Sequence, residues 1–67
     1  MKVGRIISWN SERGFGWIRN SEGGPDLFAH ISEFPPQIDP IVGTNVRFEI
    51  KFDDRRGKSK AVGVSVI

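Results

Sequence analysis

Two neighbouring stretches decide the fold: Arg13-Gly14-Phe15-Gly16-Trp17-Ile18-Arg19 and Asp26-Leu27-Phe28-Ala29-His30-Ile31. In both, aromatic or charged residues alternate with small or aliphatic residues, and this alternation is typical of β-strands whose two faces have different surroundings. Gly and Pro interrupt the rest of the chain too often for a helical apolar period to persist. The sequence therefore predicts an all-β domain.

The alternation also assigns each side chain to a face. In the first stretch one face carries Arg13, Phe15, Trp17 and Arg19, and the other carries Gly14, Gly16 and Ile18. Burying the arginine-bearing face would be costly for the charges, so we expect that face to be exposed. In the second stretch the core-facing set is Leu27, Ala29 and Ile31. Phe15, Trp17, Phe28 and His30 then share one exposed face if the two strands are antiparallel neighbours.

Five strands are predicted in all, at residues 2–10, 13–19, 26–31, 45–52 and 59–66. The short connections at 11–12, 21–25 and 53–57 are predicted turns. The long connection 32–44 contains Pro35, Pro36 and Pro40, which lack the N–H that a strand ladder needs, so we expect an irregular crossing with one helical turn at most. Three strands, a long crossing and two more strands indicate a small five-stranded antiparallel Greek-key barrel of the OB-fold type.

The last two predicted strands supply the rest of the core. By alternation, the inward residues of the fourth strand are Val46, Phe48, Ile50 and Phe52, and the outward ones are Arg47, Glu49 and Lys51. The inward residues of the fifth strand are Val62, Val64 and Val66. Gly14 and Gly16 are expected where a strongly bent second strand lets the barrel close.

Length and composition limit the class of protein. The 67 residues form one small domain, spanning residues 1–67, and the absence of cysteine excludes a disulfide framework and a thiolate metal site. A cysteine-free chain fits a reducing cytoplasm, where we expect the protein. The apolar runs are too short for a signal peptide or a membrane span. We expect a monomer without a metal, a cofactor or a membrane partner.

The charges and rings together favour one class of ligand. A net charge of +2 and a pI near 9.5 give only a mild preference for anions. The exposed rings, however, are flanked by Arg13 and Arg19, and single-stranded nucleic acid binds where bases stack on rings and cations follow the phosphates. The carboxylates Glu12, Asp26 and Glu33 have no partner base or nucleophile, so the sequence does not predict an enzyme.

At these residues the chain resembles the cold shock domain family. Arg13-Gly14-Phe15-Gly16-Trp17-Ile18 and Leu27-Phe28-Ala29-His30-Ile31-Ser32 are similar to its two ribonucleoprotein motifs. The opening from Gly4 to Asn10 is similar to the family's Gly-x-Val-x-Trp-Phe-Asn, and the match in element order extends to about Val64. The resemblance implies an OB-type barrel that binds single-stranded RNA or DNA, and in many members acts as an RNA chaperone.

The resemblance also implies roles for single residues. Phe15, Trp17, Phe28 and His30 would stack on bases, and Arg13 would contact a phosphate. Three features depart from the family pattern: Ser8 stands where the family has an exposed Trp, Ile31 replaces an aromatic residue, and the long connection has no obvious equivalent of the family's loop Phe. Trp9 and Phe34 would compensate in part, and we expect weaker binding than in a typical member.

Several roles stay open from the sequence. Trp9 either stacks on a base or caps the barrel, whereas Phe34 is expected to plug its end. In the charged run 53–60, Arg55, Arg56 and Lys58 are candidate phosphate contacts beside the default of a solvated hairpin tip. The candidate nucleic-acid-binding residues are therefore Trp9, Arg13, Phe15, Trp17, Arg19, Phe28, His30, Arg56 and Lys58. The alternative is a protein-interaction module on the same barrel, as the amino-terminal domain of a longer protein.

Overall fold

A computed structural model describes all 67 residues and contains five strands in a closed barrel. The strands are β1 (Lys2–Asn10), β2 (Phe15–Asn20), β3 (Leu27–His30), β4 (Asn45–Asp53) and β5 (Lys58–Val66). A single 3₁₀ turn, Ile31–Glu33, opens the long connection between β3 and β4. The order around the barrel is β1-β2-β3-β5-β4, which confirms the predicted five-stranded barrel.

The pairing of the strands places the two decisive stretches side by side. β1 pairs antiparallel with both β2 and β4, β2 pairs antiparallel with β3, and β4 pairs antiparallel with β5. The pair that closes the barrel, β3 with β5, is parallel and joins at Phe28 and Lys60.

No helix in the structure has the length and apolar character needed to cross a membrane.

The core consists of nine apolar side chains drawn from every strand and from the long connection. They are Ile6, Ile18, Leu27, Ala29, Phe34, Val46, Phe48, Ala61 and Val64. Gly16 lets two strands approach at this core, because a Cβ at that position would overlap the carbonyl oxygen of Ser8 and the ring of Trp9. Phe34 is 7% exposed and closes the end of the barrel, as the sequence predicted.

The second strand begins two residues later than predicted, at Phe15. Arg13 and Gly14 lie instead in the turn between β1 and β2, where the Asn10 side chain accepts a hydrogen bond of 3.1 Å from the Arg13 N–H. Gly14 has a φ of +72°, a conformation that favours glycine, and its N–H donates to the Asn10 carbonyl at 2.8 Å. Gly14 therefore shapes the turn and does not bend a strand.

The prediction that Ile50 and Phe52 lie in the core is wrong, since their side chains are 40% and 58% exposed. β1 pairs with β4 only as far as Phe48, so the rest of β4 extends beyond the barrel with only β5 beside it. Alternation still places these two side chains on the inner side of β4, but without β1 beside them they stay exposed to solvent.

The core assignment in β5 is also partly wrong. Val64 is buried, but Val66 is 39% exposed, Val62 is half-buried, and Ala61 takes the second core position. The β4–β5 register shifts between Arg47 and Glu49, and Gly63 has a φ of +59° at the same place. An extra residue in a strand reverses which face each following side chain takes, so simple alternation fails here.

Candidate functional site

Four rings of β2 and β3 lie together on the outside of the barrel, and we call them the aromatic face: Phe15, Trp17, Phe28 and His30. Phe15 pairs across the strands with His30, and Trp17 with Phe28. The Phe15 and Phe28 ring centres are 5.5 Å apart, and those of Trp17 and Phe28 are 5.7 Å apart. Each ring is partly or largely exposed, which confirms the predicted orientation.

The residues between these rings explain why the rings face outward. Ile18 in β2 and Ala29 in β3 are 0% and 1% exposed, so the intervening side chains fill the core. The β2–β3 register runs without a shift from Phe15–His30 to Ile18–Leu27, so the predicted alternation holds across this pair. It does not extend to Ile31, which was predicted for the core but is 41% exposed in the 3₁₀ turn after β3. Trp17 meets Phe28 at an interplanar angle of 77°, an edge-to-face contact that leaves ring surface free for a planar ligand.

His30 is held by the turn that follows it. Its Nδ1 accepts a hydrogen bond of 3.1 Å from the Ser32 N–H and lies 2.9 Å from the Ser32 hydroxyl. A ring nitrogen that accepts a backbone hydrogen bond carries no proton, so Nε2 is left to donate. The contacts with Ser32 thus restrain the ring beside Phe15, its cross-strand partner.

A groove of about 670 Å³ separates Trp17 and Phe28 from the β4–β5 hairpin. Its lining includes His30, Arg56, Lys58 and Lys60 together with the carboxylates Glu33 and Asp53. The Arg56 guanidinium lies 5.8 Å from the centre of the Phe28 ring, within cation–π range. The hairpin therefore places cations beside the rings, as an extended polyanion with planar bases would require.

Lys60 belongs to this groove although the sequence analysis did not select it. It stands directly beside Phe28 in the parallel β3–β5 pair. The available signal was alternation along β5, because Lys58 and Lys60 share a face and Lys58 was a candidate. The parallel contact that brings Lys60 to Phe28 is a long-range feature that no local pattern encodes.

The arginines selected from the sequence lie at the two ends of β2. Arg13 is exposed in the turn immediately before Phe15. Arg19 lies on the same side of β2 as Trp17, and its Nε is 3.5 Å from a carboxylate oxygen of Asp26. Both positions border the aromatic face, and neither arginine lines the groove.

Trp9 lies on the opposite side of the barrel wall from the aromatic face. It pairs with Gly16, packs against the core and meets Phe34 edge-on, with ring centres 5.2 Å apart. A register shift between Ile6 and Ser8 turns Ser8 outward, directly opposite Trp17. This geometry favours the barrel-capping role of Trp9, and the small Ser8 side chain leaves the aromatic face without a ring on β1.

The polar groups around the site are solvated. No buried side-chain nitrogen or oxygen lacks a hydrogen-bond partner, and no group of three or more His, Cys, Asp or Glu side chains is placed to hold a metal ion. What the arrangement offers is a set of rings beside basic side chains. These groups can bind flat, flexible, anionic ligands.

Comparison with known proteins points the same way. The sequence model of the family described as "'Cold-shock' DNA-binding domain" matches residues 2–67. The cold shock protein CspA of Rhizobium meliloti is 35% identical over 63 residues, which are 91% of each chain. The cold shock-like protein CspA of Rickettsia typhi is 32% identical over 66 residues, covering 96% of this chain and 91% of the relative.

Two further matches cover less of the other protein. The cold shock protein ScoF of Streptomyces coelicolor is 49% identical over 37 residues, which are 55% of each chain, so the match spans about half of that relative. The solved structure "drosophila Unr CSD456" superposes with a TM-score of 0.82 at 22% identity, over 98% of this chain and 26% of that chain. At such low identity this likeness shows the fold alone.

Proposed function

The chain belongs to the cold shock domain family, whose members generally bind nucleic acid, and from this premise we propose that it binds single-stranded RNA or DNA on the aromatic face. Binding is by base stacking and phosphate contacts, with low sequence selectivity. The observation that carries the proposal is the set of four outward rings beside a groove in which Arg56, Lys58 and Lys60 outnumber the carboxylates Glu33 and Asp53.

Stacking supplies most of the binding free energy in this proposal. Each base stacked on an aromatic side chain contributes about 1 to 3 kcal/mol, and every base has a π-face. Phe15, Trp17 and Phe28 expose ring surface that water solvates poorly, and a soluble monomer rarely keeps contiguous apolar surface without a ligand for it. Because the rings do not read base edges, selectivity among bases is low.

The cations give the binding its salt dependence. Arg56, Lys58 and Lys60 line the groove beside Phe28, and Arg13 lies just before Phe15. Each phosphate contact releases condensed counterions and contributes about 0.7 to the slope of log K against log salt for a single strand. Affinity should therefore fall as salt rises, even where the stacking is unchanged.

An RNA chaperone activity, or a role in regulating gene expression, follows from the same chemistry. A surface that holds unpaired bases competes with base pairing and so favours the melted form of a weak hairpin. Ser8 leaves the β1 edge of the face without a ring, so this competition should be weaker than in a relative with Trp at that position.

The test is the affinity of the Phe15→Ala and Trp17→Ala variants for a short oligonucleotide. Each should lose about 1 kcal/mol or more of binding free energy while the far-ultraviolet circular dichroism stays that of the folded barrel. Phe52→Ala is the matched control, because it removes an exposed ring that lies outside the aromatic face. Unchanged affinity in both aromatic-face variants would contradict the stacking proposal and favour the protein-interaction alternative.

A further inference from the structure

A second cleft lies at the Arg19 end of β2, outside the groove described above. It measures about 530 Å³ and is formed by β1, β2, the start of β4 and the loop that follows β2. Among its lining residues only Arg5 and Arg19 are charged. We call it the arginine cleft; neither the aromatic face nor the hairpin contributes to it.

The two arginines stand directly opposite each other in the β1–β2 pair. Like charges in that position repel and destabilise the pair unless something of opposite charge lies between them. Arg5 contacts a neutral partner, with its Nε 3.4 Å from the amide oxygen of Asn45. Arg19 has Asp26 at 3.5 Å, but the two side chains are 67% and 38% exposed, and such surface pairs are weak. The cleft thus keeps positive charge for an external anion.

The loop that follows β2 leaves this cleft open. Gly23 and Gly24 have φ values of +94° and +89°, and nothing lies within 4 Å of a Cβ built on either residue. Both glycines line the cleft. An anion can therefore approach the backbone closely here, with the arginines on the other side.

The arginine cleft is continuous with the face that holds the bases. Arg19 follows Trp17 by two residues on the same side of β2, a separation of about 6.7 Å along a strand. One nucleotide of an unstacked strand covers such a distance. We propose that the arginine cleft binds phosphate groups of the same nucleic-acid strand that stacks on the aromatic face, so that the binding site continues past Trp17 to Arg5.

This inference rests on the proposed function. Oligonucleotides of two lengths test the two proposals separately, because only the longer strand can reach the arginine cleft. Affinities are measured for oligonucleotides of about four and about eight nucleotides, within the range that OB-folds bind. Arg5→Gln is the test variant, because Arg5 has no part in the aromatic face. Arg47→Gln is the matched control, since it removes one exposed arginine on the neighbouring strand β4 that does not line the cleft.

We expect Arg5→Gln to leave the affinity for the shorter strand unchanged and to weaken binding of the longer one. For the longer strand the slope of log K against log salt should fall by about 0.7. The affinity lost between about 50 and about 200 mM salt should therefore be about 2.6-fold smaller in the variant than in the parent protein. Arg47→Gln should leave both slopes unchanged. Equal losses at both lengths, equal losses in both variants, or no loss at either length would overturn the inference.

A different result would contradict the proposed function. If Trp17→Ala weakens binding of the shorter strand while Arg5→Gln does not change the affinity for the longer one, the stacking proposal stands and the arginine cleft is not part of the binding site. If Trp17→Ala also changes nothing, both proposals are contradicted, because no strand lies on the aromatic face to be continued.

Discussion

Two groups of aromatic residues in this barrel share the same chemistry and have opposite positions. Phe15, Trp17 and Phe28 lie outside on β2 and β3, whereas Trp9 and Phe34 pack together against the core at 5.2 Å. Trp9 is the cross-strand partner of Gly16, the residue between Phe15 and Trp17. Hydrophobicity therefore does not decide which ring packs against the core. For the rings on strands the register decides it, while Phe34 enters the core from the connection after β3, and the outward rings are the ones left for a ligand.

The largest effect expected from this comparison is on folding. Phe34→Ala removes a ring that is 7% exposed and should lower the free energy of unfolding by about 3 kcal/mol, at the low end for Phe→Ala in a core. Chemical denaturation measures this loss.

The control is Phe52→Ala, since Phe52 is the same residue type at 58% exposure and should change stability by less than about 0.5 kcal/mol. Equal destabilisation of both variants would contradict the claim that Phe34 stabilises the barrel by its burial in the core. Oligonucleotide affinity, measured where Phe34→Ala is still folded, should stay that of the parent.

A smaller effect should appear when a ring is added to the outer group. Ser8 is exposed directly opposite Trp17, so Ser8→Trp extends the aromatic face onto β1 and should strengthen oligonucleotide binding by about 1 to 3 kcal/mol. Ser8→Ala changes the same position without adding a ring and should leave the affinity as it is. A Ser8→Trp protein that is folded but binds no more tightly would show that stacking does not continue across β1.

The smallest effect concerns the cation above Phe28. Arg56→Gln removes a guanidinium 5.8 Å from the ring centre, and exposed cation–π contacts contribute about 0.5 to 1 kcal/mol. Stability should change by no more than this amount. The salt slope of oligonucleotide binding should fall by about 0.7, because one phosphate contact is lost. A slope equal to that of the parent protein would exclude Arg56 from the phosphate path.

Local alternation predicted the aromatic face because β2 and β3 pair without a register shift. The same reasoning failed where the register does shift. At Gly63 an irregularity in β5 put Ala61 in the core in place of Val62, and only the three-dimensional pairing reveals it. Val64 lies in the core as predicted, whereas Val66, on the same face, is 39% exposed. A pattern of period two has no means of marking an inserted residue.

Two other features could not be predicted from the sequence, because they depend on how far β1 pairs with β4 and on how the barrel closes. Ile50 and Phe52 follow the predicted alternation, yet they are exposed because β1 begins at Lys2, opposite Phe48, and does not pair with β4 beyond that point. Lys60 reaches the site through the parallel contact with Phe28, which depends on how the barrel closes. Both depend on neighbours distant in the chain, whereas the ring positions depend on residues one or two places away.

The most direct test uses the two tryptophans of the chain, one from each group. In a Trp9→Phe variant only Trp17 fluoresces, and in a Trp17→Phe variant only Trp9 does. Titration with a short single-stranded oligonucleotide should quench emission strongly in the first variant and leave it nearly unchanged in the second. Quenching confined to Trp9, or no response from Trp17 at saturating ligand, would contradict stacking on the aromatic face.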